Sequence, residues 1–503
     1  MMAVERQKPA RRLSDLLGAL PLAGPDPLVY GLTPDSRRVN PGWVFAACRG
    51  RRQHGLAYLP AALDAGASAV LWEPADSVDT AASEAGCRAH GVPLVAVPGL
   101  SHQLGTIASR LHGDPSGCLR VVGVTGTDGK TSVTQFLAQA VASEGIGCGV
   151  IGTLGYGLYG ELSSGNHTTP DAALVQELLG GFRDAGAGFV SMEVSSHALD
   201  QQRVSGVRFD TAVLTNLGRD HIDYHRSERA YAEAKSRLFT SAGLRCAVVN
   251  LDDGFGCAVR RLVPRTVELL GYSLQPDSDA DISVLSLRPG ADALALEIVT
   301  PVGLLNVSVP VIGRFNAQNL LAVAAALVGV GWDVSRISRA LAAIRPVPGR
   351  MECFGGGDQP LVVVDYAHTA GALEAALRAL GEHVPGSIWC VFGCGGDRDR
   401  GKRPLMAAAA EARAHHVILA DDNPRGEDPE RIIQDIQAGF RRRPATVERD
   451  RVSAIDLAIR NAGPGDAVLV AGKGHEDYQI TAAGIRHYSD RETVAALMAE
   501  AQS

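Results

Sequence analysis

LRVVGVTGTDGKT, residues 119–131, is the stretch from which the fold follows. Leu119 to Val124 form a short apolar run of strand type, two glycines follow at 126 and 129, and a helical pattern continues through Phe136 and Ala140. A glycine-rich turn between a strand and a helix lets backbone N–H groups approach phosphate oxygens, and the helix N-terminus favours an anion. In such a loop Gly126, Thr127, Asp128 and Gly129 cradle phosphates, Lys130 bridges the β- and γ-phosphates, and Thr131 offers its hydroxyl to Mg2+. The strict phosphate-loop pattern has a glycine where this chain has Val124, but every chemical part is present. The expected ligand is ATP with Mg2+.

Around this loop the pattern repeats. Strand-like runs at GFVSMEV, TAVLTNL and CAVVN alternate with helical segments, which predicts a parallel, doubly wound sheet. Residues 282–312 instead alternate around Pro and Gly turns, as hairpins do, and AQNLLAVAAALVGV reads as a closing helix. Upstream, GLTPDSRRVNPGWVFAAC and the runs SAVLW and LVAVP suggest a small α/β unit that breaks near HGDPSG. Downstream of IRPVPGR, a third alternation runs through PLVVVDYAH, SIWCVFGC, HHVILADDN and DAVLVAG. The fold class is therefore α/β in three domains: 1–113, a central phosphate-loop, parallel-sheet ATPase-like domain at 114–345, and a Rossmann-like domain at 346–503.

Whole-chain properties agree. A chain of 503 residues exceeds one ordinary core, and 46% hydrophobic with 20% charged residues is globular composition. No apolar run approaches the ~20 residues of a membrane span, and the opening MMAVERQKPARRLSDLLGALPLAG makes a poor signal peptide, so a cytoplasmic location is expected. The nine scattered cysteines read as reduced packing residues. A net charge of -7 leaves no basic footprint, and nucleic acid is not an expected partner.

A phosphate loop alone does not choose among kinase, GTPase and ATPase. The form TGTxGKT at 125–131, however, resembles the variant loop of the Mur ligases and their folylpolyglutamate synthetase relatives. Further blocks agree in order: MEVSSHAL (192–199), TNLGRDHIDYHR (215–226), YAEAKSRLF (231–239), GRFNAQNLLA (313–322), PGRME (348–352), DYAHT (365–369), FGCGGDRDRGKRP (392–404), DDNPR (421–425) and GKGHEDYQ (472–479). Two departures stand out: Asp128, where the family often has Asn, and Ala370-Gly371, where it has Pro-Asp.

The resemblance implies an ATP-dependent ligase of peptidoglycan synthesis that activates a carboxylate as an acyl phosphate for attack by an amine. Glu193, at a strand's C-terminal end, and His221 are then Mg2+ contacts beside Thr131; from spacing alone, either is as readily a structural residue. Lys235 reads by itself as a surface lysine, but the resemblance implies a carbamylated side chain. Lys130, Glu193, His221 and Lys235 form the implied catalytic set. The resemblance also implies that Ser36 and Arg37 meet the uridine diphosphate end of UDP-N-acetylmuramoyl-L-Ala-D-Glu, and that Thr168, Thr169, Ser195 and Arg203 hold its muramoyl-peptide part. Asn316 is placed to read adenine, Asp365 to accept from the ribose, and Arg350, at the linker, to reach ATP on domain closure.

Asp422-Asn423-Pro424-Arg425 resembles the signature of the branch that adds meso-diaminopimelate. That amino acid differs from lysine by a distal carboxylate, which a guanidinium binds through two parallel hydrogen bonds, whereas lysine would present only a repelled ammonium. Arg398, Gly472 and Glu476 match the other positions that receive it. The protein is expected to act as a monomer. A related ligase adding L-lysine, or a nucleotide-binding scaffold without catalysis, remains the alternative at this point.

Overall fold

The computed structural model describes residues 10–500 apart from 23, 51–52, 76–77, 277, 291–292 and 443. The basic residues 1–9, part of the opening read above as a poor signal peptide, lie outside the described residues. The chain divides into two compact units, Met1–Leu270 with Gly329–Gly331 and Gly271–Val328 with Trp332–Ser503.

The first unit carries a short antiparallel pairing of Arg11–Arg12 with Leu28–Val29 and strands of two larger sheets. Gly31–Thr33, Trp43–Ala47, Ala69–Trp72 and Leu94–Ala96 pair in parallel in chain order. Their alternate residues, Val44, Ala46, Ala69, Leu71 and Val95, pack with Leu100, Leu104 and Ile107 of the helix Leu100–Leu111. In the larger sheet, Arg120–Thr125 lies between Phe189–Glu193 and Thr211–Leu214, with Cys148–Gly152 and Cys246–Asn250 outside them, all parallel. Parallel strands with both faces covered read as continuous apolar runs, and Val121, Val122 and Val124 are all fully buried. The helix Lys130–Ser143 starts at Gly129, whose φ of 80° few side-chain-bearing residues adopt. Because these strands are parallel, every loop that follows one lies at the same edge, the ligand edge of open α/β sheets.

In the second unit, Ile282–Pro289, Leu294–Thr300 and Gly303–Val309 form the antiparallel meander expected from their alternation, and the following helix is Arg314–Gly329. The six-stranded sheet has the order Glu352–Gly355, Leu361–Asp365, Ala467–Ala471, Ile388–Phe392, His416–Leu419, Thr446–Val447. Only the first strand is antiparallel to its neighbour. Asp365, Phe392, Leu419 and Ala471 end adjacent strands, so the blocks DYAHT, GCGGDRDR, DDNPR and GKGHE share one edge. The expected α/β class and the hairpin insertion are both present. No helix among the described residues is long and apolar enough to cross a membrane, and all nine cysteines are free.

Candidate active site

The phosphate loop is braced from the strand beside it. Thr215 donates from its hydroxyl to the Asp128 carbonyl at 2.6 Å, and Asn216 accepts from the Asp128 N–H at 2.9 Å and, through its carbonyl, from the Thr127 N–H at 3.0 Å. Thr127 Oγ1 lies 3.0 Å from the Tyr231 hydroxyl and accepts from the Gly218 N–H at 2.8 Å. A Cβ at Gly126 would fall 1.8 Å from Thr215 Oγ1, so only glycine permits this approach. Thr215, Asn216 and Tyr231 belong to blocks already noted, but their bracing role follows from strand adjacency, which spacing does not reveal.

Two lysines converge on this loop. Lys130 Nζ donates to the carbonyls of Gly126 at 2.9 Å and Thr127 at 2.8 Å, and Lys235 Nζ donates to the same Gly126 carbonyl at 2.6 Å. Lys235 is therefore not the surface lysine that its helix pattern suggests: it is 1% exposed. Burial, and then the Lys130 charge, push its pKa well below the ordinary lysine value. His221 faces the same charges. Its pKa is lowered by burial, opposed by Asp220 and lowered further by Lys130 and Lys235. Its ring lies 4.6 Å from that of His197.

Glu193 forms the other wall. Its Oε2 accepts from Thr131 Oγ1 at 3.0 Å and from Thr153 Oγ1 at 3.1 Å, and its Oε1 accepts from the Thr153 N–H at 2.7 Å. Thr153 Oγ1 lies 3.0 Å from Thr168 Oγ1. Thr169 Oγ1 donates to the Glu193 carbonyl at 2.9 Å and accepts from the Ser195 N–H at 3.2 Å, while Arg203 Nη1 donates to the Thr169 carbonyl at 2.8 Å. Thr168, Thr169, Ser195 and Arg203 are thus gathered around the glutamate. Thr153 was missed, because a lone threonine after a strand carries no signal until its neighbours are known. The Thr131 hydroxyl and Glu193 carboxylate are hard oxygen donors in contact, a pairing that fits Mg2+. Among the described residues no three His, Cys, Asp or Glu side chains form a ready-made metal cluster, so phosphate and water oxygens would share the coordination with side chains of this site. In the smaller sheet of this unit, Ser36 and Arg37 lie in the short helix Ser36–Arg38, where Arg37 pairs with Asp35 at 2.8 Å and stays exposed.

In the second unit Asp365 accepts from the Met351 N–H at 2.8 Å, and burial raises its pKa against the opposing pull of Arg350. Arg350 lies over the Tyr366 ring at 4.4 Å. Asn316 is buried, donating to the Ile312 carbonyl at 2.9 Å and accepting from Asn319 at 3.1 Å. Gly472 N–H donates to the Asp365 carbonyl at 3.0 Å, and its φ is 118°. A Cβ there would fall 2.9 Å from Asp422 Oδ2. Asn423 Nδ2 donates to Glu476 Oε2 at 2.8 Å, and Lys473 donates to the same oxygen at 3.0 Å. Arg425 holds a left-handed φ of 54° and donates to the Gly396 carbonyl at 3.0 Å, and Gly396 lies against the Pro424 carbonyl. Arg398 is exposed beside them. Arg398, Asp422, Asn423, Arg425, Gly472 and Glu476, grouped above by resemblance alone, thus share one loop cluster.

Comparison with known proteins accords with this geometry. Residues 28–112 match the model "Mur ligase family, catalytic domain", 124–327 match "Mur ligase middle domain", and 349–474 match "Mur ligase, glutamate ligase domain". The chain is 55% identical to the "UDP-N-acetylmuramoyl-L-alanyl-D-glutamate--2,6-diaminopimelate ligase" of Alkalilimnicola ehrlichii, over 94% of this chain and 95% of that one. It is 50% identical to the protein of the same name from Pseudomonas aeruginosa, over 94% and 95%. A solved structure of a ligase with that name superposes with a TM-score of 0.72 at 35% identity, covering 98% of this chain and all of the other. From its domains, its site geometry and these full-length relatives, the chain belongs to the Mur ligase family.

Proposed function

We propose that this chain is the ATP-dependent ligase that joins meso-diaminopimelate to UDP-N-acetylmuramoyl-L-Ala-D-Glu, releasing ADP and phosphate, in peptidoglycan synthesis. The observation that carries this reading is the meeting of Lys130, Thr131 and Glu193 beside Thr168, Thr169 and Ser195, in a chain 55% identical to a diaminopimelate ligase over nearly its full length.

Amide formation from a carboxylate is uphill, so ATP first converts the substrate carboxylate to an acyl phosphate. Its γ-phosphorus–oxygen bond to ADP breaks as the carboxylate oxygen bonds to phosphorus. The incoming neutral amine then adds to the acyl carbon and gives up a proton as the carbon–oxygen bond to phosphate breaks and phosphate leaves. The first step brings two anions together, and it needs cations where they meet. Lys130 turns from its carbonyl contacts to the β- and γ-phosphates. Gly126, Thr127, Asp128 and Gly129 line the phosphate path, and Thr131 and Glu193, with His221, hold Mg2+, which neutralises phosphate charge when bound. Arg203, Thr168, Thr169 and Ser195 orient the peptide carboxylate, and Ser36 and Arg37 take the uridine diphosphate end. We assign Asn316, Arg350 and Asp365 to the base and ribose of ATP.

A neutral amine is the form that attacks CO2, yielding a carbamate and a proton. The burial and depressed pKa of Lys235 favour that amine at neutral pH, which supports carbamylation there. Arg398, Asp422, Asn423, Pro424, Arg425, Gly472 and Glu476 receive diaminopimelate, with Arg425 opposed to its distal carboxylate. The domain limits 1–113, 114–345 and 346–503, a monomeric state and a cytoplasmic location complete the proposal. The test is phosphate release by the purified protein with UDP-N-acetylmuramoyl-L-Ala-D-Glu, ATP and Mg2+, adding meso-diaminopimelate or L-lysine. Release with diaminopimelate alone, with a product heavier by one residue, is expected. Release with lysine instead would reverse the specificity, and release with neither would leave a non-catalytic role.

A further inference from the structure

Between the loops bearing Arg398 and Arg425 lies a buried ion pair with no contact role in the proposed reaction. Arg403, in the helix Lys402–Arg413, is 0% exposed in its side chain, and its partner Glu427 is 5% exposed. Arg403 Nη1 donates to Glu427 Oε1 at 3.0 Å and Nη2 to Oε2 at 2.8 Å, while Nη2 also lies 3.3 Å from the Gly395 carbonyl. Glu427 Oε2 accepts from the Asp397 N–H at 3.2 Å, and Oε1 pairs with Arg400 at 3.0 Å. One carboxylate from the DNPR loop thus gathers three groups of the GGDRDRGKRP segment.

The two loops are zipped elsewhere as well. Gly396 N–H donates to the Asn423 carbonyl at 2.9 Å, Arg425 Nη1 to the Gly396 carbonyl at 3.0 Å, and Gly426 N–H to Asp397 Oδ2 at 3.1 Å. A Cβ on Gly396 would fall 1.9 Å from the Pro424 carbonyl, so the backbones are in direct contact. Asp397 and Arg425 each hold a φ of 54°, a left-handed conformation that non-glycine residues keep only when their surroundings enforce it. The Arg403–Glu427 pair is the buried ionic tie among these contacts, reaching both loops.

We infer that Arg403 and Glu427 are positioning residues for amino-acid selection: their pair fixes the Arg398 loop against the Arg425 loop, and so sets where the two guanidiniums meet a distal carboxylate. This rests on the proposed ligase reading. A planar guanidinium discriminates through geometry as much as charge, so a loosened Arg425 still attracts anions but loses the fixed fork that distinguishes diaminopimelate from lysine. Asp435 also touches Arg403, at 2.8 Å, but lies on the helix Pro429–Gln437 outside both loops, and it serves as an internal control.

The experiment compares kcat/KM for meso-diaminopimelate and L-lysine, with KM for ATP, in the full-length wild type and in Glu427→Gln, Arg403→Lys, Asp397→Ala and Asp435→Asn. Glu427→Gln and Arg403→Lys are expected to raise KM for diaminopimelate about 10- to 100-fold and narrow the preference over lysine, with KM for ATP changed less than about twofold. Asp397→Ala, at an exposed position that removes only the outer zip, is expected to show the same pattern at about threefold. Asp435→Asn lowers Tm without moving the preference. An unchanged preference in the first three variants, or KM for ATP rising in parallel with that for the amino acid, overturns the inference while leaving the ligase intact. A wild type that uses neither amino acid overturns both.

Discussion

The phosphate-loop corner and the amino-acid loops both concentrate cations, but they hold them differently. At the loop, Lys130 and Lys235 are aimed at backbone carbonyls, two on one oxygen of Gly126, and each makes the other's charge more costly. Around DNPR, buried cations meet carboxylates in paired, bidentate fashion: Arg403 with Glu427, and Arg451 with Asp490 at 2.8 Å through both Nε and Nη2. A cation such as Lys130, set against weak neutral acceptors, can turn to an arriving polyanion at little cost, because a carbonyl contact is exchanged for a charged one. Cations locked to carboxylates cannot, since breaking a buried pair leaves a charge without compensation. The first region is built to respond to ligand and the second to hold its shape.

The sharpest way to break this contrast is Lys130→Met. If Lys130 is a mobile phosphate cation, phosphate release should fall about a thousandfold while Tm stays near that of the wild type. A large drop in Tm with modest loss of activity would make Lys130 structural instead. Next in size is Arg425→Lys, which keeps the charge but loses the fork. A fall of about 100-fold in kcat/KM for meso-diaminopimelate, with KM for ATP steady, is expected.

A smaller effect tests the Glu193 wall. In Gly152→Ala the new Cβ would fall 2.5 Å from Glu193 Oε1, near the free end of a flexible side chain, so the carboxylate should shift without unfolding the strand. Activity at low Mg2+ should fall about tenfold and recover as Mg2+ is raised; loss that no Mg2+ concentration restores would remove Glu193 from the metal.

The two regions should also carry pH signatures in stability of the same sign but in separate windows, one acidic and one alkaline. Arg403 holds the Glu427 carboxyl down at about 2, against 4.5 ordinarily. Stability from that pair is therefore complete above 4.5 and is lost as pH falls through about 2, and Glu427→Gln should flatten this acid limb of Tm against pH. Lys235 acts in the same direction at higher pH. With its folded pKa depressed, the unfolded chain binds more protons, so the wild type should gain on Lys235→Met as pH rises from neutrality towards 10.5, in CO2-free buffer. Parallel slopes for wild type and Lys235→Met would show that Lys235 is solvated.

The phosphate loop, the α/β alternation and the hairpin insertion were all legible in the chain, because each is local: a strand, a turn and a helix start need only neighbouring residues to declare themselves, whereas the grouping of DNPR with Arg398, Gly472 and Glu476 came from the family resemblance. Thr131 could be named from the phosphate-loop motif and Glu193 placed at a strand end that faces the ligand edge, but the metal role of Glu193 came from the family resemblance and not from its position. What the chain alone could not decide was partnership across the fold. Lys235 sits on a helix of ordinary amphipathic look, and only packing against the Gly126 carbonyl buries its amine. Thr153 meets both Glu193 and Thr168 because segments distant in sequence lie side by side, and Arg403 meets Glu427 across 24 residues because two crossovers end at one edge. Local sequence sets turn chemistry and strand propensity, whereas burial and pairing energies depend on which non-local groups displace water, and only the tertiary structure brings those groups together.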